Sequence, residues 1–260
     1  MSLYPYGKRI LKRLGLLDAA ARGKQRWQAF RRQMPYRMLL VARSPAAYLR
    51  YFDDTYAHLL TGNVKVHGVD VDRYASFRIV FDELLRRKKR DFTIVETGCA
   101  HTGGWGHGSS SLLFFEFLNV FGGKLVSIDI DPRHLEACAK LLETVRPNTG
   151  RAQFVPMAGD SLAILKSLPD QADFVYLDSW DLEPDDPEPS MRHHLAELKA
   201  SKPIFIRSKD LILAVDDNLK PLGIGKGKYV LEWAQRTGQK ILMDGYQLVL
   251  RLTAQSVADL

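Results

Sequence analysis

The sequence predicts an α/β fold with a largely parallel sheet that helices cover on both faces. From residue 91 onward, short apolar segments alternate with amphipathic ones. Each short segment is continuously apolar, as expected of a strand that is buried on both faces. The chain then ends in two strands joined by "MDGY", where Asp244 and Gly245 suit a tight hairpin turn. We therefore expect an otherwise parallel sheet closed by a C-terminal antiparallel hairpin.

The bulk composition is that of an ordinary soluble globular protein, with 46% hydrophobic and 26% charged residues. No apolar run approaches the roughly 20 residues that span a bilayer. Charged residues interrupt the N-terminus where a signal peptide needs an apolar stretch. We expect a cytoplasmic protein in which Cys99 and Cys138 are reduced and buried.

The charge is distributed unevenly along the chain. Residues 1–90 hold 20 Lys and Arg against 7 Asp and Glu, whereas residues 91–260 hold 17 against 23. This asymmetry predicts a basic N-terminal extension, residues 1–90, followed by the main domain, residues 91–260. Such an extension suits an anionic partner: a membrane surface at which the protein would be peripheral, a charged glycan, or nucleic acid. Solvated helical faces that wrap the main domain are the alternative.

The first ninety residues are predicted to be helical. A short amphipathic helix is expected where Ile10, Leu11, Leu14 and Leu17 share one face. Ser44 and Pro45 suit the start of a second helix, and aromatic residues at helical spacing follow. Residues 70–90 form a third amphipathic pattern. The aromatic residues are expected to belong to the core.

Five strands and their helices follow in strict alternation from residue 91. The strands are "FTIVETG", "KLVSIDID", "AQFVPMAGD", "ADFVYLDSW" and "LILAVDDN". Ligands of open parallel sheets bind outside the carboxyl ends of the strands. The residues at those ends are polar in every case: Glu96 to Ser111, Asp129 and Asp131, Asp160, Asp178 to Asp181, and Asp216 to Asn218.

The loop after the first of these strands, in "TIVETGCAHTGGWGHGSSSLLFF", contains five glycines and leads into a helix. Such a loop lets a ligand approach the backbone, and the helix start can hold an anion. It lacks the Gly-Lys-Ser/Thr of a phosphate-binding loop, and its glycine spacing does not match the dinucleotide fingerprint. The stretch "GIGKGKY", residues 223–229, also lacks the hydroxyl residue, and we expect a solvent loop there.

An acid at the end of the second strand completes the pattern. Asp129 lies 21 residues after Gly108, where its carboxylate can accept both hydroxyls of a ribose. The predicted ligand is therefore a nucleoside that carries a carboxylate.

These motifs together, with "AGDS", "DFVYLDSWD" and "LAVDDN", resemble the class I S-adenosylmethionine-dependent methyltransferases. The glycine loop resembles the cephalosporin-hydroxylase-like and rhamnosyl O-methyltransferase group. "YLDSW" and "VDDN" are similar to catechol O-methyltransferase and the macrolide-sugar O-methyltransferases. The resemblance covers residues 91–260 and hardly touches residues 1–90. It implies a Rossmann-like, seven-stranded methyltransferase sheet.

The resemblance also implies a binding site for S-adenosylmethionine. The implied cofactor-binding residues are Glu96, Gly98, Gly108, Ser109, Asp129, Asp160 and Ser161. The glycine loop departs from the family pattern because it is several residues longer, which adds His101, Trp105 and His107.

The resemblance further implies a divalent cation such as Mg²⁺ at Asp178, Asp217 and Asn218, with Asp216 as an alternative ligand. Asp181 stands where the catechol enzymes have a lysine, and it is a fourth metal ligand, a general base or a solvated acid. The base could also be a histidine: His193 and His194 follow on the next helix, and His101 and His107 lie in the glycine loop. The candidate catalytic residues are Asp178, Asp181 and His193.

The predicted activity is an O-methyltransferase that acts on a hydroxyl of a small molecule, sugar or glycan. "DSWD" stands where methyltransferases of nucleic-acid bases carry an Asp/Asn-Pro-Pro-aromatic motif, so base methylation is disfavoured. An RNA ribose methyltransferase and a non-catalytic S-adenosylmethionine-binding protein are the alternatives. An assembly of identical chains is compatible with the sequence.

Overall fold

The structure, a computed structural model, describes residues 35–100, 110–145, 148–208 and 210–253. Residues 43–260 form one compact unit; in the other unit, residues 1–42, the described residues 35–42 are helical. The helix predicted around Ile10 to Leu17 lies outside the described residues, and the predicted domain boundary after residue 90 stays a prediction. Within the described ranges, no helix has the length and apolar character that crossing a membrane requires.

The larger unit contains α-helices, β-strands and a short 3-10 helix at Lys220–Leu222. Its helices are α1 Pro45–Leu60, α2 Tyr74–Arg86, α3 Ser110–Phe121, α4 Pro132–Leu142, α5 Ser161–Ser167, α6 Glu188–Ala200, α7 Lys202–Ser208 and α8 Lys228–Arg236. Its strands are β1 Thr61–Val66, β2 Val69–Asp72, β3 Phe92–Thr97, β4 Gly123–Asp129, β5 Ala152–Ala158, β6 Phe174–Leu177, β7 Asp210–Val215, β8 Asn218–Leu219, β9 Ile224–Gly225, β10 Lys240–Asp244 and β11 Leu248–Thr253.

The main sheet has seven strands in the order β10-β11-β7-β6-β3-β4-β5. The five strands from β7 to β5 are parallel to one another, and β11 is antiparallel to both β7 and β10. This confirms the predicted Rossmann-like sheet with its C-terminal hairpin. The chain order runs outward in opposite directions from β3 and β6, and open sheets of this kind have their ligand crevice outside the carboxyl ends of the two strands at such a point.

The central strands are apolar because helices cover both of their faces. Every residue of β6 is buried, and α3 buries ten of its twelve residues. The predicted start of α1 is also confirmed. Ser44 caps α1 by accepting a hydrogen bond from Ala47 N, and Pro132 is in the first turn of α4. These caps fix the direction in which each helix leaves its loop.

The expectation of helices alone before residue 90 is wrong between Thr61 and Asp72, where β1 and β2 form an antiparallel hairpin. Valines alternate along both strands, and the turn residues His67 and Gly68 have φ angles of 49° and 80°. Positive φ at both turn positions is what a tight two-residue hairpin requires. The hairpin packs on a cluster of side chains from the loops at the carboxyl edge of the sheet: Leu182, Leu219, Ile224 and Tyr246.

Candidate active site

The end of β3 lies close to both of its neighbouring strands, β4 and β6, at Gly98. Its N–H donates to Ile128 O at 2.8 Å, and its φ is 73°. A Cβ at this position would lie 2.4 Å from the carbonyl oxygen of Asp178, just after β6. Gly98 is therefore required both by its backbone angle and by the close approach of the chain after β6.

Glu96 is a fully buried carboxyl group inside β3. Its Oε1 accepts hydrogen bonds from Ser111 Oγ at 2.7 Å and Ser127 Oγ at 2.5 Å, whereas Oε2 has no partner among the described residues. Burial raises the pKa of Glu96 well above its usual range, and the two serine hydroxyls oppose the shift. A neutral carboxylic acid can donate from Oε2, so Glu96 offers one hydrogen bond that no described residue uses.

Asp129 ends β4 next to the crevice. Its Oδ1 accepts from Asp131 N at 2.9 Å and lies 3.2 Å from His134 Nδ1. Its Oδ2 lies 3.4 Å from Cys99 N, at the start of the glycine loop. The carboxylate is thus held at the junction of β3 and β4, with its longest contact on the side of the loop. Cys99 and Cys138 are both buried, and neither forms a disulfide bond with a described residue.

A second polar cluster lies where α5 meets α6. Asp160 is exposed and caps α5, accepting from Leu162 N and Ala163 N at 3.3 Å each. His193 Nε2 lies 3.0 Å from Ser179 Oγ, 3.4 Å from Ser161 Oγ and 3.4 Å from Glu197 Oε1. The structure therefore brings Ser161 and His193 together.

Three carboxylates meet beyond the ends of β6 and β7. One carboxylate oxygen from each of Asp178, Asp216 and Asp217 lies within 4.8 Å of the others. Asp216 is buried, while Asp178 and Asp217 are about one fifth exposed. Tyr176 donates to Asp216 at 2.8 Å, and Tyr246 donates to Asp217 at 2.6 Å. Like charges this close need cations nearby.

Arg73 and Lys226 supply those cations. Arg73 Nη2 lies 2.7 Å from Asp216 Oδ2 and 3.0 Å from Asp217 Oδ1. Lys226 Nζ lies 2.6 Å from Asp178 Oδ1 and 3.0 Å from Asp217 Oδ2, and the residue is only 1% exposed. Each cation thus bridges two carboxylates at the distances of charge-assisted hydrogen bonds.

The three carboxylates exceed the two cations by one negative charge. Burial alone would lower the pKa of Lys226, but the neighbouring carboxylates outweigh burial and raise it, so the side chain stays charged. Burial would raise the pKa of Asp217, yet Lys226 and Arg73 lower it. For Asp178, burial raises the pKa, Lys226 lowers it, and Asp216 and Asp217 raise it, with an upward net shift. Of Asp178 and Asp217, Asp178 is therefore the carboxylate that accepts a proton more readily.

This arrangement does not fit a divalent metal ion. The Lys226 ammonium already bridges Asp178 and Asp217, two of the three expected ligands. Asn218, the third, faces the backbone, accepting from Gly227 N at 2.8 Å and donating to Val215 O at 3.5 Å. Asp181 is exposed and lies outside the cluster.

Two of the predicted cofactor-binding residues, Gly108 and Ser109, lie outside the described residues, as do His101, Trp105 and His107. Arg73 and Lys226 were not predicted from the sequence as residues of this site. The expectation of a solvent loop at residues 223–229 is wrong at Lys226, which is buried. The glycines on either side of Lys226 were a sequence signal for a tightly packed turn. A Cβ at Gly225 or Gly227 would lie 2.6 or 2.8 Å from Asn218 Oδ1.

No protein-family model and no curated protein matches the chain. Among solved structures, a methyltransferase from Geobacter sulfurreducens is similar, with 15% identity and a TM-score of 0.42, over 80% of this chain and 87% of that one. An SAH-bound methyltransferase from Podospora anserina is 13% identical, with a TM-score of 0.44, over 80% of this chain and 87% of that one. A ribosomal protein L11 methylase from Lactobacillus delbrueckii subsp. bulgaricus is 12% identical, with a TM-score of 0.43, over 72% of this chain and 81% of that one. Similarity at this level carries no argument about activity.

Proposed function

We propose that the chain is an S-adenosylmethionine-dependent O-methyltransferase that acts on a hydroxyl of a small molecule or sugar. The observation that supports this most is the meeting of Gly98, Asp129 and Asp178 at the ends of three adjacent strands, around the point where the chain order reverses. Open sheets bind nucleoside cofactors at this point. The motifs quoted from the sequence favour S-adenosylmethionine over a nicotinamide or a nucleoside triphosphate.

The residues at the crevice suit the parts of this cofactor. Asp129 would accept hydrogen bonds from the ribose hydroxyls, and Asp160 and Ser161 would lie beside the adenine. Glu96 and Gly98 would begin the cofactor site at the end of β3, where the absence of a side chain at Gly98 admits the neighbouring chain after β6. Gly108 and Ser109 would bind the methionine carboxylate.

The acceptor would be held at Asp178. The bound cofactor supplies a methyl group, so that the acceptor oxygen forms the new C–O bond while the C–S bond breaks and the sulfur keeps its electron pair. Lys226 Nζ donates a hydrogen bond to Asp178 Oδ1 at 2.6 Å, and no described residue donates one to Oδ2. We assign Oδ2 as the acceptor of the hydroxyl proton, with Asp181 and His193 as alternative bases.

Calorimetry with S-adenosylhomocysteine tests the cofactor assignment. Asp129→Asn should weaken binding by about 10- to 100-fold, because the ribose loses a hydrogen bond to a charged group. Asp131→Asn is the matched control. Its carboxylate lies two residues further on and caps α4, a role that Asn also performs, so binding should stay within about twofold of the wild type. Absence of binding to the wild-type protein, or equal affinities in the two variants, would contradict the assignment.

A further inference from the structure

The position of Lys226 is fixed by its backbone. The glycines on either side of it press against Asn218, which accepts a hydrogen bond from Gly227 N at 2.8 Å. Lys226 N in turn donates to Asp217 O at 3.3 Å. Lys226 directly follows β9, which pairs with β8 in a short antiparallel hairpin. The side chain therefore starts from an ordered backbone and reaches the carboxylates without access to solvent.

The ammonium group occupies the place where a divalent ion would need to bind. It lies within 3.0 Å of one oxygen of Asp178 and one of Asp217, the pair that a metal ion would bridge. A second cation, Arg73, already engages Asp216 and the other oxygen of Asp217. A divalent ion placed among these oxygens would lie a few ångströms from two positive charges, and this repulsion is large in a buried site.

We propose that Lys226 is the resident cation of this acidic cluster and replaces a divalent metal, so that methyl transfer at the site is metal-independent. The statement about methyl transfer rests on the proposed function, whereas the statement about the cation does not. Lys226 acts as a positioning residue. It holds Asp178 Oδ1 and so orients the free oxygen, Oδ2, which would receive the proton of the acceptor.

The proposal that Lys226 takes the place of a divalent ion is tested by titrating Mn²⁺ into the protein and measuring free Mn²⁺ by electron paramagnetic resonance. The wild type should show no saturable binding below about 1 mM, a range in which oxygen-ligand sites bind divalent ions. Lys226→Ala vacates the space between the carboxylates and should bind Mn²⁺ at least about tenfold more tightly. Adding Asp178→Asn to that variant should abolish the gain.

Lys228→Ala is the matched control, since Lys228 is an exposed lysine two residues away that should behave as the wild type. Saturable Mn²⁺ binding by the wild type that is lost in Asp178→Asn would overturn the proposal, as would a Lys226→Ala protein that binds Mn²⁺ no better than the wild type. Should Lys226→Ala fail to fold, the wild-type titration alone decides: absence of binding supports the proposal.

Methyl transfer provides the second readout. The wild-type rate should be the same within about twofold in excess EDTA and in excess Mg²⁺, because no step needs the ion. A rate that collapses in EDTA and recovers with Mg²⁺ would overturn the second half of the proposal. Failure of the proposed function has a different signature, because S-adenosylhomocysteine would then not bind while the Mn²⁺ results for Lys226 would be unaffected.

Discussion

Gly98 shows how one residue can define the site. The strand before it and the chain after β6 approach so closely that no side chain fits between them. The glycines of this loop predicted that another group comes close to the backbone, and the group expected there was the ligand. The structure adds a second reason at Gly98, because the neighbouring backbone is the carbonyl of Asp178.

The cost of a side chain at Gly98 can be separated from the cost of its backbone angle. Gly98→Ala should destabilise the protein by about 3 kcal/mol or more, since it adds a clash to an unfavourable φ. Gly150→Ala is the control, because Gly150 has nearly the same φ, 70°, and open space around it. Gly150→Ala should lower the free energy of unfolding by only about 1 kcal/mol. Urea unfolding of both variants measures the difference, and equal costs would contradict the clash.

At the scale of whole elements, periodicity predicted the faces of the helices well but not their polar contacts. Tyr48, Phe52 and Tyr56 of α1 are buried, as the helical spacing indicated. However, Tyr51 and Tyr56 also donate hydrogen bonds to Glu116 of α3, with a distance of 3.0 Å for Tyr51. No local pattern marks such a contact, because its partners lie 60 and 65 residues apart in the chain.

This contact makes the packing of α1 on α3 dependent on pH. Burial raises the pKa of Glu116 to about 7, against the effect of the two tyrosine hydroxyls. The folded state therefore holds the proton at pH values where the unfolded chain has lost it, so this contribution is complete below the unfolded pKa and is lost as the pH rises through about 7.

Glu116→Gln should remove the dependence, because glutamine cannot ionise. From pH 5 to pH 8, the wild type should lose about 2 kcal/mol of unfolding free energy relative to the variant. Denaturant titrations at both pH values measure how the free energy of unfolding changes with pH in the wild type and in the variant. An equal change in the two proteins would show that Glu116 does not retain its proton in the folded protein.

On the scale of the whole molecule, parallel-sheet geometry explains what could be predicted. Carboxyl ends of parallel strands share one edge, so Asp178, Asp216 and Asp217 were expected close together. Their cations could not be inferred in the same way. Arg73 comes from the segment before the sheet begins, and Lys226 from a turn that the composition alone assigned to solvent. Both depend on contacts that only the folded chain creates.

Arg73 also joins the N-terminal part of the compact unit to its C-terminal half. It follows the β1–β2 hairpin directly, bonds to Asp216 and Asp217, and lies over the ring of Tyr246 at 4.9 Å. Basic residues of the first third are thus partly committed within the molecule, as are Arg87 and Lys89, which both bond to Asp173. These side chains contribute to the fold and not to a free basic surface.

The strength of this connection is best measured against an exposed ion pair within the neighbouring β1–β2 hairpin. Arg73→Gln should cost about 3 to 5 kcal/mol, because it leaves a buried carboxylate at Asp216 without its cation. Lys65→Gln breaks the Lys65–Asp70 pair, whose side chains are both 62% exposed, and should cost less than about 1 kcal/mol. Urea unfolding gives both values. If Arg73→Gln were as mild as Lys65→Gln, the acidic cluster would not need its arginine, and the hairpin would be held to the sheet by its apolar contacts alone.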